Sequence, residues 1–212
     1  MEVEILFEDK DVIVCHKPAG MATQTRRLGQ QDMESYLKNY RARNKETPYI
    51  GVVHRLDQPV EGVMVFAKNQ KAASELSKQI QRDQMGKHYY ARSASTASIA
   101  KGGSLQDYML TDKQKNISRI VDKATEGAKP ASLDYTVCGS DEKGTVFDIT
   151  LHTGRQHQIR LQLSNIGFPI EGDKKYGGAE VSDGLKLCAY KLEFVHPVTG
   201  KNMEFSITPQ WK

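Results

Sequence analysis

The sequence predicts an α+β fold, and three observations lead there. Short apolar segments bounded by turn residues recur along the whole chain and read as strands. Three other stretches repeat their apolar residues at helical spacing. The 212 residues, 38% hydrophobic and 26% charged, are enough for one globular domain with a polar surface. The chain is therefore read as a single domain over residues 1–212.

Residues 3–7 and 12–15 are apolar and flank Glu8-Asp9-Lys10-Asp11, which predicts a strand, a charged turn and a second strand. His16-Lys17-Pro18-Ala19-Gly20 then stops the second strand, because Pro removes a donor and Gly permits a turn. Lys17 reads as a solvated turn lysine that could also meet a phosphate. Residues 30–43 carry Met33, Tyr36, Leu37 and Tyr40 on one helical face. Lys38, Arg41 and Arg43 suit the negative C-terminus of that helix.

His54-Arg55-Leu56-Asp57 stands between two apolar runs, residues 48–53 and 63–67, that read as buried strands. Pro59 and Gly62 place Asp57 on the loop entering the second of them. A carboxylate there pairs with a cation, shifts its pKa, or does chemistry. Residues 69–82 form a helix capped by Asn69, with Ala72, Leu76 and Ile80 four residues apart. In Lys87-His88-Tyr89-Tyr90-Ala91, strand alternation sets Lys87, Tyr89 and Ala91 opposite His88 and Tyr90. One tyrosine belongs to the core and the other could face a site; alternation does not choose between them.

Residues 93–131, rich in Ser, Ala, Gly and Lys, read as a loop or ribbon with a mobile part within 99–120. Residues 133–137 and 145–151 are strands around a turn-rich link. Ile159, Leu163 and Ile166 predict a short helix ending at Gly167. Arg160 follows a core position, so it should be partly buried and in need of an anion, for which Asp57 is the natural candidate. Residues 172–178 form a basic, glycine-flanked loop, and strands at 185–195 and 203–207 close the chain.

Composition narrows the functional classes. Cys15, Cys138 and Cys188 are far apart, odd in number and without a C-x-x-C pair, which argues against zinc and against a disulfide framework. No run approaches membrane-spanning length, and Met1-Glu2-Val3-Glu4 is acidic where a signal peptide would be basic. A cytoplasmic protein is expected, with no membrane partner. Thirty basic against 26 acidic side chains give a net charge of +4, which permits a polyanionic partner without demonstrating one. No heptad or large apolar stripe argues for assembly, so a monomer is expected.

Several stretches together resemble the RluA-type pseudouridine synthases. They are His54-Arg55-Leu56-Asp57 with Gly62 and the strand to Ala67-Lys68, Lys87-His88-Tyr89-Tyr90-Ala91, and Thr153-Gly154-Arg155-Gln156-His157-Gln158-Ile159-Arg160. Gly167-Phe168-Pro169-Ile170 and Gly172-Asp173 follow the last of these. His16-Lys17-Pro18-Ala19-Gly20 and Phe194-Val195-His196-Pro197 match flanking landmarks, so the resemblance covers nearly the whole chain. It implies a mixed, largely antiparallel sheet with flanking helices and an RNA-binding cleft. It also implies isomerisation of a uridine in rRNA or tRNA to pseudouridine, without metal or cofactor.

By the same resemblance, Asp57 takes the place of the catalytic aspartate, Arg160 of its paired basic residue, Tyr89 of the tyrosine at the target base, and Ile159 of the aliphatic wall. Arg55 matches an arginine implicated in holding rearranged RNA; Arg155, His157, Lys17 and Lys87 are further candidates for substrate contact. The chemistry asks for an ionised Asp57, and a neighbouring Arg lowers such a pKa by roughly 1–3 units. The target base must first leave its stack, at about a few kcal/mol, which phosphate contacts can offset. Gln58, Pro59, Val60 and Glu61 depart from the family's usual residues, a change that bears on substrate choice. Two alternatives stand beside this expectation: a non-catalytic RNA-binding protein on the same fold, and a glycoside hydrolase pairing Asp57 with Glu61.

Overall fold

The computed structural model describes residues 3–25, 27, 29–209 and 211. Met1 and Glu2, half of the acidic N-terminal stretch noted above, lie outside them. The chain forms two compact units. One comprises the residues before Lys87 together with those from Ala189 on, Trp211 excepted; the other comprises Lys87–Cys188 with Trp211.

In the first unit β1 (Glu4–Glu8), β2 (Val12–Lys17) and β4 (Glu61–Ala67) lie side by side, with β10 (Leu187–Val195) next to β4. The two-residue β3 (Gly51–Val52) pairs with β4, and β11 (Asn202–Ser206) pairs with β10. The β1–β2, β2–β4, β3–β4 and β10–β11 pairings are antiparallel. β2 and β4 are near-continuous apolar runs because both faces are covered. Val12, Val14, Val63, Val65 and Ala67 pack with Ala72 and Leu76 of α2 (Gln70–Gln81) and with Leu192 and Phe194 of β10.

The expected caps are present. Asn69 accepts the N–H of Ala72 at 2.9 Å and starts α2. Helix α1 is Met33–Arg43, shorter than the expected 30–43. Asp32 caps it and forms a reciprocal capping box with Ser35, which fixes the start three residues later than expected, at the first apolar residue of the pattern. Its buried residues are Met33, Leu37 and Arg41, whereas Tyr36 and Tyr40 are only half-buried. The Arg41 guanidinium is inside because it donates to the carbonyls of Lys68 and Tyr49 and to Glu46.

The second unit runs in the order β5 (Gly86–Ser93), β9 (Gly144–Leu151), β8 (Lys129–Asp141), β6 (Gly102–Asp112), β7 (Ile117–Val121), each paired antiparallel to the next. Of the loop or ribbon expected over residues 93–131, residues 102–121 form a hairpin paired to β8. Only Met109 and Ser118 in β6 and β7 are buried, so neither strand shows the apolar alternation that reveals a half-buried strand. Phe147 anchors the core, edge-on to Tyr135 and Phe168 at centroid distances of 5.7 and 5.4 Å.

Helix α3 is Gln158–Asn165. It ends as expected at Gly167 (φ 84°), with Gly167 N–H bonded to Ser164 and Phe168 N–H to Leu163. This double bond satisfies two of the last carbonyls. No described helix is long and apolar enough to cross a membrane.

Candidate active site

Asp57 lies where the punctuation placed it, on the loop between β3 and β4, and it is half-buried. Both neighbours are pinned. Thr23 Oγ1 donates to the Leu56 carbonyl at 3.0 Å and accepts the Leu56 N–H at 3.2 Å. The Gln58 carbonyl accepts from Gly20 N–H at 2.8 Å and from Lys17 Nζ at 3.2 Å, while Gln58 Nε2 returns a bond to the Gly20 carbonyl at 2.9 Å. The Asp57 carbonyl accepts Val60 N–H at 3.0 Å and closes the turn into β4. His54 Nε2 accepts Val65 N–H at 3.1 Å, which ties the start of the tetrapeptide to the same strand. Gly62 adopts φ 151°, and any Cβ there would overlap Ala189 of β10, so only glycine admits this approach.

Lys17 requires a correction. It is neither a solvated turn lysine nor placed to meet a phosphate. It is fully buried at the end of β2, and its ammonium donates to the carbonyls of Met21, Pro18 and Gln58 at 2.6, 3.0 and 3.2 Å. Burial pushes its pKa down to about 8, against the opposing charges of Asp57 and Glu61. Arg55, by contrast, is exposed. Glu61 faces His16, whose ring also lies 3.7 Å from Glu4.

The second unit holds the other candidates. Tyr89, on β5 opposite Ile149, is buried at 8% exposure, while His88 and Tyr90 on the other side of the strand are half-buried. Tyr89 is thus the tyrosine of the two that sits inside. Lys87 is half-buried at the start of the same strand. Ile159 and Arg160 are buried in the first turn of α3. The turn before it depends on His157 in the left-handed region (φ 55°), with no side-chain cap. Gln158 secures the turn instead, since its Oε1 accepts Thr153 Oγ1 at 2.7 Å and Arg155 N–H at 3.0 Å. Arg155 is half-exposed, its Nε held by the Pro130 carbonyl at 2.8 Å. His157 is buried, with Nδ1 2.9 Å from the Tyr176 hydroxyl.

The need of Arg160 for an anion is real, and Asp173 meets it: Nε and Nη2 donate to the two carboxylate oxygens at 2.7 Å each. The Tyr176 ring lies 5.3 Å from the same guanidinium. Sequence reasoning missed Asp173 because it treated residues 172–178 as a basic loop. The usable signal was an acid close downstream of a cation bound to be buried. Thr23 was missed as well, and nothing local marks it.

Asp9, Asp11 and His196 offer ligand atoms within 4.8 Å of one another, and Asp11 Oδ2 is buried without a hydrogen-bond partner among the described residues. His196 Nδ1, however, accepts the N–H groups of Val198 and Thr199 at 3.2 and 3.0 Å. That leaves the ring proton on Nε2, donated to Asp9 at 2.9 Å. A cation would need that nitrogen deprotonated, so no metal is assigned to the trio.

The model of the RNA pseudouridylate synthase family matches residues 11–165, a span that contains Asp57, Tyr89 and Arg160. The chain is 34% identical over 202 residues to the uncharacterised RNA pseudouridine synthase YhcT of Bacillus subtilis, covering 93% of this chain and 66% of that protein. It is 33% identical over 204 residues to the dual-specificity RNA pseudouridine synthase RluA of Vibrio parahaemolyticus, covering 92% of this chain and 78% of the relative. It thus spans about two thirds of the first of these relatives. Among solved structures, human RNA pseudouridylate synthase domain containing 4 superposes with a TM-score of 0.81 at 22% identity, covering 98% of this chain and 89% of the other. Human RNA pseudouridylate synthase domain containing 1 gives 0.78 at 20% identity, covering 100% and 85%. At that identity the likeness speaks for the fold.

Proposed function

The chain belongs to the RNA pseudouridylate synthase family, and we propose that it isomerises a specific uridine of rRNA or tRNA to pseudouridine with Asp57 as the catalytic carboxylate. The observation that carries this is the clamp on the Asp57 loop. The residues on either side of Asp57 are held by hydrogen bonds from Thr23, Gly20 and Lys17, while its own side chain is left half-buried. Binding alone does not ask for a carboxylate on so fixed a backbone; a reacting group does, because small displacements cost rate.

The reaction breaks the bond between the ribose and a ring nitrogen and remakes it to a ring carbon of the same base. Every atom stays within one nucleotide, so the balance needs no oxidant, reductant or carrier. Asp57 acts at the sugar as nucleophile or as base, and both roles use its ionised form. Arg160 supplies a charge that does not titrate. Tyr89, fixed in the middle of a strand, offers a rigid ring to an extruded base, and Ile159 an aliphatic wall. Arg55, Arg155 and Lys87 contribute contacts to the RNA backbone, whereas His157, expected among the substrate contacts, is buried against Tyr176 and supports the α3 turn instead. Action as a monomer in the cytoplasm belongs to the same proposal.

The test uses purified protein and RNA lacking pseudouridine at the target. Wild type should convert one uridine. Asp57→Asn should lose at least about 10³-fold in rate, the scale seen when a reacting group is removed, while RNA binding survives. An active Asp57→Asn enzyme sinks the assignment.

A further inference from the structure

The surroundings of Arg160 are more elaborate than a buried cation requires. Asp173 is 0% exposed at its side chain and Arg160 8%, so both charges have left water. Their two contacts use one edge of the guanidinium, Nε and Nη2. The face of the group lies on the Tyr176 ring. Tyr176 is itself fixed: its hydroxyl accepts Ser118 N–H at 2.8 Å and lies 2.9 Å from His157 Nδ1, and its carbonyl accepts Ser164 Oγ at 2.7 Å. The Asp173 carbonyl accepts Tyr176 N–H at 3.2 Å and Gly178 N–H at 2.8 Å. A Cβ at Gly178 would collide with the Ile170 carbonyl, so the loop closes tightly under the pair.

Stability alone explains little of this. A buried ion pair loses in desolvation much of what it gains in attraction, and an apolar pair of equal volume stabilises as well. Orientation explains more. A guanidinium is a planar fork, and holding one edge and one face fixes where the Nη1 corner points.

We infer that Asp173 and Tyr176 are positioning residues for Arg160, fixing the orientation in which its guanidinium serves the reaction. The inference rests on the reading of Arg160 as part of the active site, and the experiment separates the two. Arg160→Ala, Asp173→Asn, the double variant and Tyr176→Phe are each assayed for kcat, KM, RNA affinity and thermal unfolding on the RNA that wild type modifies. Asp173→Asn should lower kcat about 10- to 100-fold, as the loss of an orienting partner does elsewhere, with KM unchanged. Tyr176→Phe keeps the ring, loses the hydroxyl anchor, and should lower kcat several-fold. In the Arg160→Ala background Asp173→Asn should cost nothing further, because it acts through the arginine.

A folded Asp173→Asn protein with wild-type kcat overturns the inference, as do losses that multiply in the double variant. If Asp173→Asn does not fold, Tyr176→Phe decides: normal kcat, whatever its melting temperature, reduces the assembly to a structural role. An Arg160→Ala enzyme of full activity would instead remove Arg160 from the proposed site.

Discussion

Lys17→Met tests the clamp beneath the Asp57 loop. The Lys17 ammonium is buried and bonded to three carbonyls, and its pKa falls from the ordinary 10.5 to about 8. Desolvation causes the fall, and the charges of Asp57 and Glu61 oppose it. His16, beside it on β2, lies between Glu4 and Glu61. Between about pH 8 and 10.5 the unfolded chain keeps a proton that the folded chain has released. Stability contributed by this group therefore rises with pH across that window. The change from 10.5 to about 8, at about 1.4 kcal/mol per unit, is about 3 kcal/mol. Methionine does not titrate, and it leaves the Met21, Pro18 and Gln58 carbonyls without their donor. The stability of wild type minus that of the variant should thus widen by about 3 kcal/mol from about pH 7 to about pH 10.5. Urea unfolding followed by circular dichroism measures it at each pH. Subtraction cancels the contributions of other ionisable groups, among them Tyr40, Lys68, Tyr176 and Lys191, whose pKa values are raised in the fold. A gap that stays constant across the range refutes the placement of a desolvated lysine under the loop.

Two further substitutions probe the same loop. Thr23→Val keeps the shape but strands the N–H and carbonyl of Leu56, at about 1–3 kcal/mol for each unpaired group. Urea unfolding should register that loss, and kcat should fall with it while RNA affinity holds; unchanged kcat would show that the clamp does not position Asp57. Gly62→Ala puts a side chain at φ 151° and against Ala189. It should cost about 2–6 kcal/mol, read as a lowered melting temperature, since backbone strain and overpacking each contribute about 1–3 kcal/mol. A variant that melts like wild type would mean that β4 and β10 are not so close there.

Much of the fold was legible because its determinants are local. Asn69 caps α2 through an N–H three residues away, and the N–H groups of Gly167 and Phe168 end α3 on carbonyls three and five residues before them, respectively. Pro59 and Gly62 likewise mark the Asp57 loop from within a few residues. The hairpin at 102–121 was not legible, because its strands bury only Met109 and Ser118, show no apolar alternation, and are held by pairing to β8. Helix α1 begins at Met33, the first residue of its apolar pattern, because Asp32 and Ser35 cap it there and leave Gln30 and Gln31 outside.

What the chain by itself determined was the set of candidate groups: a carboxylate on a punctuated loop, a tyrosine in a strand, an arginine one residue past a core position. Tertiary structure decided their environment. Only folding removes water from Lys17 and turns it toward Gln58, 41 residues away. Only folding shows that an acid in an apparently basic loop grips Arg160. The physical reason is common to both. A side chain's type is written in the sequence, but its solvation and its partners depend on which distant segments pack around it.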